Sequence, residues 1–176
     1  MASPAAQNPA PQSAHPTRQL GPISKHAVWK PNTTVATIIE QKGRFLLVEE
    51  ETDSGLCLNQ PAGHLEQGET LLEAAIRETR EETRYPFTPQ AFVGCYLMPV
   101  PRLGLTYLRF SFCGTVGEPD VSLALDAGIV RAVWLTRAEI EAAKSRWRSP
   151  LVGLCVDDYL SGRQVPLDFL RDVQGE

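Results

Sequence analysis

The sequence predicts an α/β (α+β) protein in which a mixed β-sheet lies between helices. Three observations support this prediction: strand-like runs come first, an amphipathic helix lies near the middle, and strands followed by short helices complete the chain. Because each amphipathic element must bury its apolar face, strands on both sides of a central helix favour a sheet packed against helices.

The first strand-like segments form a predicted hairpin. Residues 33–40 are rich in β-branched side chains, residues 44–49 contain a compact apolar run, and Gln41-Lys42-Gly43 between them predicts a tight turn. A turn at residues 101–104 joins two of the three later strands, which are predicted at residues 91–100, 105–115 and 128–135.

The central helix is predicted at residues 71–84. Thr70 and Glu73 fit a capping box at its start, and Pro86 cannot continue a helix. A helical wheel turns one arc of about 140° toward the core. The members of this arc are Leu71, Leu72, Ala75, Ile76 and Thr79.

Two shorter helices are predicted near the end of the chain. Thr136 is the expected N-cap of the first, which extends to about residue 145. Ser149-Pro150 opens the second, and Gly162 ends it. These helices supply the remaining helical layer of the predicted fold.

Three glutamates crowd into the last turns of the central helix: Glu78, Glu81 and Glu82. Like charges at this spacing cost a few tenths of a kcal/mol each, and the negative end of the helix dipole adds ~0.3–1 kcal/mol. A hard divalent cation relieves this repulsion, since Mg²⁺ takes oxygen ligands. A solvated acidic face is the alternative, and the three glutamates alone do not decide between the two.

The segment before the helix decides in favour of a metal site. Residues 60–69 are turn-rich and contain two glycines that let backbone approach a ligand closely. Joined to the helix, this segment resembles the sequence box of the Nudix hydrolases. The residues that match at the box spacing are Gly63, Glu69, Arg77, Glu78, Glu81 and Glu82.

Two positions depart from the box. Thr79 stands at an apolar position, and Arg84 stands where the family has glycine. The family glycine is typical of a left-handed residue at a helix C-terminus. A residue other than glycine costs about 1–2 kcal/mol there, so we predict that Arg84→Gly stabilises the protein.

The resemblance extends beyond the box, over about residues 29–170, to a phosphatase branch of the bacterial Nudix hydrolases. The matching segments are residues 29–31, 45–50, 58–66, 108–110 and 148–152. It implies the Nudix fold, in which a mixed β-sheet is sandwiched between helices (an α/β/α sandwich). We accordingly expect a flexible Pro/Ala-rich tail at residues 1–27 and a single Nudix domain at residues 28–176.

The resemblance also implies a metal site that binds Mg²⁺ or Mn²⁺. Glu78 and Glu82 would be the principal ligands, and the carbonyl of Ala62 would complete the set. Glu81 would be a further ligand, or would orient or deprotonate the attacking water.

Several residues are expected to support this site. Glu69 and Arg77 would form an ion pair that fixes the loop against the helix, although Arg77 could instead pair with Glu81 at i,i+4. A structural role for Arg77 is the favoured interpretation. Many family members use one more acid from a later loop, and the candidates here are Asp126, then Asp120 and Glu118, although a solvated loop acid is the favoured interpretation of each one taken alone.

The organic part of a substrate is expected to meet aromatic and basic residues. Loop residue His64 would shape the loop or contact substrate. A stacking wall could come from Trp29, Tyr96, Tyr107 and Phe110, although burial in the core is the simpler interpretation for most of them. The arginines expected to meet phosphate are Arg44, Arg102 and Arg109.

The implied reaction is metal-assisted hydrolysis of an organic diphosphate. The resemblance implies 4-amino-2-methyl-5-hydroxymethylpyrimidine diphosphate, thiamin diphosphate and nucleoside tri- and diphosphates as substrates, with release of inorganic phosphate. Two alternatives within enzymes are a nucleoside triphosphate pyrophosphohydrolase and a nucleotide-sugar diphosphatase. A non-catalytic nucleotide-binding domain is disfavoured, since such domains typically lose box glutamates.

Composition limits the partners and the compartment. The net charge of −4 and the lack of a Lys/Arg block disfavour nucleic acid and anionic membrane surfaces. The apolar runs are too short to span a bilayer. The four cysteines lack Cys-x-x-Cys spacing and predict buried free thiols in the cytoplasm. Oligomeric state is not decided by the sequence, and a monomer is compatible with it.

Overall fold

The computed structural model describes residues 28–53 and 55–173. The chain divides into two units, Met1–Lys30 and Pro31–Glu176, and every element below belongs to the second. The tail predicted at residues 1–27 lies outside the described residues.

Strands and helices follow one another in the predicted order. Their bounds are β1 Asn32–Gln41, β2 Arg44–Thr52, β3 Gly55–Asn59, β4 Ala62–His64, α1 Leu71–Thr83, β5 Phe87–Val100, β6 Leu105–Val116, β7 Ile129–Thr136, α2 Arg137–Ala142, α3 Leu151–Leu160 and β8 Val165–Pro166. The sheet order is β3-β2-β1-β6-β5-β8, with β4 paired to β1 and β7 to β2. The β1–β6 pair is parallel and all other strand pairs are antiparallel, so the sheet is mixed, as predicted.

Strand β1 changes partners along its length. Its first part lies between β4 and β6, whereas its last residues form the hairpin with β2. The turn of that hairpin has positive φ at both Lys42 and Gly43, the combination required by a type I′ turn. Because β2 leaves β1 after this short pairing, the two parts of the sheet diverge, and this divergence positions the candidate site.

Helices cover both faces of the sheet, which confirms the predicted sandwich. On one face, α1 packs its buried Ala74 and Ala75 against Val35 and Ile39 of β1. On the other face, α2 and α3 pack against a second apolar cluster that contains Ile38 of β1. Alternate side chains of β1 therefore pack into two separate apolar cores, one on each face of the sheet.

The caps of α1 agree with the sequence, and its buried face agrees with the prediction except at one position. The Thr70–Glu73 capping box is present, and Arg84 is a left-handed C-cap with φ 68°. Ile76 was expected to be buried but is 38% exposed, whereas the other four members of the predicted arc are buried or pack against the core. The buried face also includes Glu78 and Glu82, because the protein turns these two carboxylates inward.

Three strands were not predicted: β3, β4 and β8. Residues 62–64 were expected to be loop, but they pair with β1 as a short strand. Gly63 carries no side chain from which a strand could be inferred, so tertiary pairing decides its conformation.

The four cysteines were predicted to be buried free thiols. All four cysteines are free thiols, as predicted, but only Cys113 and Cys155 are buried, and Cys95 is exposed. Within residues 28–53 and 55–173, no helix is both long and apolar enough to cross a membrane.

Candidate active site

The C-terminal half of α1 faces strand β4 at close range. The backbone N–H of Ala62 donates a hydrogen bond to Glu82 Oε2 at 2.8 Å. A Cβ atom at Gly63 would collide with the carboxylate of Glu78. The glycine is therefore needed because a carboxylate occupies the space that any side chain would fill.

Arg77 connects this helix to the preceding loop. Its Nε and Nη2 donate to both carboxylate oxygens of Glu69, at 3.0 and 2.7 Å, and Nη2 also donates to the carbonyl of His64 at 3.0 Å. Its Nη1 donates to Glu78 at 2.8 Å and to Glu81 at 3.0 Å. The structure thus contains both of the pairings that the sequence offered as alternatives, to Glu69 and to Glu81.

The carboxylates of the site differ in their electrostatic environment. Burial raises the pKa of Glu82 to about 8, with further increases from Glu78, Glu50 and Asp126, although the Ala62 N–H opposes the shift. Burial also raises the pKa of Glu78, against the effect of Arg77. The hydrogen bonds from Arg77 lower the pKa of Glu69. Arg77 therefore stabilises the ionised form of Glu69, whereas burial disfavours the ionised forms of Glu78 and Glu82. Of these two, Glu78 has Arg77 as an ion-pair partner and Glu82 has no ion pair with a described residue.

One of the three candidate loop acids lies beside these glutamates. The backbone N–H of Asp126 donates to the carbonyl of Glu81 at 3.1 Å, and the Asp126 carboxylate raises the pKa of both Glu78 and Glu82. Asp120 instead accepts hydrogen bonds from Ser122. Glu118 is exposed and shows no link to the cluster in the described structure.

A cavity of about 610 Å³ opens next to Ala62 and Gly63. Its lining includes the predicted Arg102, Arg109, Tyr107 and His64, and the last two bring their ring centroids to 6.3 Å. Residues that the sequence reasoning missed also line it, namely Thr34, Glu50, Asn59, Met98 and Arg148. The available signal for Glu50 and Asn59 was their place in segments 45–50 and 58–66, which match the family, but nothing in those segments distinguished these two side chains from their neighbours.

Other predicted contacts lie elsewhere. Arg44 is at the opposite end of β2 from Glu50 and donates to Glu139 at 3.0 Å and to the Trp134 carbonyl. The Tyr96 hydroxyl donates to Asp158 at 2.9 Å within the α3-side core. These placements correct the expectation that both residues face substrate, because each side chain is already engaged with a neighbouring helix.

The last two aromatic candidates have different surroundings. Phe110 packs against Phe92 in the α1-side core. Trp29 is 66% exposed and belongs to the unit Met1–Lys30. The simpler interpretation, burial in the core, therefore holds for Tyr96 and Phe110 but not for Trp29.

The donor atoms around Gly63 suit a hard divalent cation. They are carboxylate oxygens, two of them on side chains that are only 8–9% exposed, and a buried carboxylate that lacks a cation is costly. In the described conformation no three acidic, His or Cys side chains converge as a complete metal-binding group. Mg²⁺ commonly completes its shell with water and substrate phosphate rather than with protein alone.

The comparisons with known proteins agree with this fold and site. The NUDIX domain family profile matches residues 29–152. The chain therefore belongs to the Nudix family and is a Nudix hydrolase, a class of enzymes that act on diphosphates and generally use divalent metals.

Two individual proteins are similar to this chain over most of its length. The chain is 39% identical to Phosphatase NudJ of Escherichia coli strain K12 over 145 residues, which cover 82% of this chain and 94% of that protein. A NUDIX hydrolase from Nitrosomonas europaea has 47% identity and a TM-score of 0.81, over 84% of this chain and 100% of that chain.

A more distant structure shares the fold alone. It is a bifunctional NMN adenylyltransferase/ADP ribose pyrophosphatase from Francisella tularensis, complexed with AMP and a manganese ion. It has 20% identity and a TM-score of 0.64, over 77% of this chain and 43% of that chain.

Proposed function

We propose that this protein is a divalent-metal-dependent phosphatase that hydrolyses organic diphosphates and releases inorganic phosphate. The proposed substrates are 4-amino-2-methyl-5-hydroxymethylpyrimidine diphosphate, thiamin diphosphate and nucleoside tri- and diphosphates. The main support is the packing of Glu78 and Glu82 against Gly63 and Ala62 at the mouth of the cavity. The 39% identity to Phosphatase NudJ supports the phosphatase activity.

In this proposal, Glu78 and Glu82 bind Mg²⁺ or Mn²⁺ together with the carbonyl of Ala62. When bound, such an ion neutralises phosphate charge and lowers the pKa of a coordinated water. Glu81 is half-buried and is linked to Glu78 by Arg77, whose Nη1 contacts both carboxylates. It is proposed either as a further ligand or as the group that orients or deprotonates the attacking water, and Asp126 as the additional acid.

Arg77 and Glu69 are proposed as positioning residues. Their bidentate ion pair ties the loop to α1, and the Arg77–His64 bond fixes the backbone next to Gly63. A planar guanidinium with four such acceptors leaves the loop few other conformations. The ligand oxygens are thereby held in place before substrate arrives, which is the condition for efficient catalysis.

The residues that line the cavity suggest how a substrate binds. The diphosphate would lie at Ala62 and Gly63, beside the carboxylates, with the organic group deeper among Tyr107, Arg109 and Asn59. Arg102 lies at the exposed rim and could meet a further phosphate. The free thiols support action in the cytoplasm.

Product identification tests the proposal directly. Purified protein with Mg²⁺ is incubated with the proposed pyrimidine diphosphate, thiamin diphosphate, nucleoside tri- and diphosphates and a nucleotide sugar, and phosphate and pyrophosphate are measured separately. We expect inorganic phosphate, no turnover in excess chelator, and restoration by Mg²⁺ or Mn²⁺. Release of pyrophosphate would instead identify a pyrophosphohydrolase, and binding without turnover would identify a nucleotide-binding domain.

A further inference from the structure

Four polar residues that line the cavity have buried side-chain atoms, and we call them the cavity floor: Thr34, Glu50, Asn59 and Arg109. Each has at least one buried side-chain atom without a hydrogen-bond partner among the described residues. These atoms are Thr34 Oγ1, Glu50 Oε1, Asn59 Oδ1, and Arg109 Nε and Nη1. Buried polar atoms are nearly always paired in folded proteins, so this concentration indicates a ligand-binding surface.

Arg109 is the most unusual member of the floor. It is only 8% exposed, and burial lowers the pKa of its guanidinium against the attraction of Glu50 and Glu82. It stands opposite Thr34 in the parallel β1–β6 ladder, so both side chains lie on one face of the sheet. A guanidinium remains charged in proteins, so its unpaired N–H groups need an acceptor from a bound molecule.

Glu50 provides the opposite kind of group. Arg148 Nε forms an ion pair with its Oε1 at 3.3 Å, but this oxygen accepts no hydrogen bond from the described residues. Asn59 lies close enough to lower the pKa of the Glu50 carboxyl, and its own side-chain oxygen is a second acceptor without a hydrogen-bond partner among the described residues. The floor therefore offers unpaired donors and unpaired acceptors side by side.

A phosphate group does not match this pattern. Phosphate oxygens accept hydrogen bonds, so they would satisfy Arg109 but repel the Glu50 carboxylate and leave Asn59 unpaired. A neutral ring with an acceptor nitrogen beside an exocyclic amino group satisfies both kinds of atom. Tyr107 and His64 further along the cavity offer flat surfaces for such a ring.

We propose that Arg109 and Glu50 determine specificity by binding an amino-substituted nitrogen heterocycle, Arg109 donating to the ring nitrogen and Glu50 accepting from the amino group. Asn59 is the second acceptor for that amino group. The inference rests on the proposed function, because it assigns the organic end of the same substrate. It is independent of which phosphate bond is cleaved.

The test measures equilibrium binding without metal, so that turnover is not required. Two ligand pairs are used, each differing only by the amino group. They are the monophosphates of 4-amino-2-methyl- and 2-methyl-5-hydroxymethylpyrimidine, and adenosine and purine riboside monophosphates. The wild-type protein should bind the amino member of at least one pair about tenfold more tightly, the effect of one hydrogen bond to a charged acceptor.

Substitutions at Glu50 test whether this residue causes the preference for the amino ligand. Glu50→Leu should abolish it by weakening only the amino ligand, whereas Glu50→Gln, which keeps an acceptor oxygen, should retain part of it. Glu51→Leu is the matched control, because Glu51 is the exposed next residue of β2 and should keep the wild-type ratio. A wild-type ratio below about threefold for both pairs, or an equal loss for both members in Glu50→Leu, would overturn the proposal.

Arg109→Met separates ring binding from phosphate binding. It should weaken both members of the preferred pair and also the corresponding phosphate-free alcohol or nucleoside, while the amino preference remains. An unchanged affinity for the phosphate-free compound would show that Arg109 binds phosphate and would refute its assignment. A preference for the amino ligand without hydrolysis would refute only the proposed hydrolase activity. Hydrolysis without that preference would refute only the assignment of Arg109 and Glu50.

Discussion

Glu49 and Glu82 are both buried carboxylates, but the fold treats them in opposite ways. Glu49 is 5% exposed and accepts from Arg131 at 2.7 Å and from Arg146 at 2.9 Å. These arginines, Arg131 above all, lower its pKa against the effect of burial. Glu82 is 8% exposed, accepts one backbone N–H, and has a pKa raised to about 8.

The difference distinguishes a structural carboxylate from one that we propose to be functional. Two arginines compensate for the burial of Glu49 within the protein itself, so no further partner is required. The compensation of Glu82 is incomplete, and it sits beside Glu78 and Asp126, which share its charge. Such uncompensated groups mark candidate functional sites. The following variants test this comparison.

Glu82→Gln is expected to have the largest effect of these variants, and the effect is on catalysis. If Glu82 is the metal ligand that we propose, its loss removes several kcal/mol of transition-state stabilisation, so kcat/KM should fall by at least ~100-fold with Mg²⁺. The Tm should be unchanged or higher, since a buried carboxylate has been neutralised. Wild-type turnover by this variant would refute the metal assignment.

Gly63→Ala should lower activity by about 10- to 100-fold, because its Cβ displaces the Glu78 carboxylate and small misplacements of catalytic groups are costly. Gly68→Ala is the control. Gly68 has φ 95° and open space around the added Cβ, so this variant should lose stability but keep kcat/KM. Equal activities of the two variants would contradict the proposed contact.

Glu49→Gln should show the reverse of Glu82→Gln. It weakens two charge-assisted hydrogen bonds whose arginines are partly exposed, so we expect a loss of about 1 kcal/mol, or roughly 2–4 °C in Tm. Activity per folded molecule should stay near the wild-type value. A strong loss of kcat/KM without a change in Tm would show that Glu49 is also part of the site.

The two carboxylates should also give stability an opposite dependence on pH. Glu82 has a raised pKa in the folded state, so its contribution is present at low pH and is lost as pH rises from about 4.5 to 8. Glu49 has a lowered pKa, so its contribution is lost as pH falls. In metal-free protein, the Tm of Glu82→Gln minus that of wild type should increase between pH 5.5 and 8.5, and an invariant difference would contradict this assignment.

The smallest expected effect is at the end of α1. Arg84 adopts φ 68°, which costs a residue with a Cβ about 1 kcal/mol or more. Arg84→Gly should therefore raise the Tm by roughly 2–4 °C and leave kcat/KM unchanged. A lower Tm would show that contacts of the arginine side chain outweigh its backbone strain.

The sequence predicted most of the local structure around the box. The Thr70–Glu73 capping box and the left-handed Arg84 follow from interactions within a few residues, so both were readable. The Glu69–Arg77 ion pair was readable because its partners lie on one loop and the first turns of one helix. The strand at Ala62–His64 was not, because its pairing partner is β1, nearly thirty residues earlier.

Which of the predicted arginines lines the cavity, in contrast, could not be predicted from the local sequence. Arg44 and Arg109 were equal candidates in the sequence, yet one binds Glu139 at a hairpin end and the other is buried in the cavity. The difference depends on where each position falls along its strand relative to the divergence of β1 and β2. Such long-range registers are set by the packing of the whole sheet.

By itself, the sequence determined the fold class, the helix that carries the box and the crowding of its glutamates, since these depend on short-range spacing and charge. Only the tertiary structure decided that Gly63 lies against Glu78, and that Glu50, Asn59 and Arg109 share one cavity. The physical reason is that burial and unpaired hydrogen-bonding atoms arise from contacts between distant segments, which no local pattern encodes.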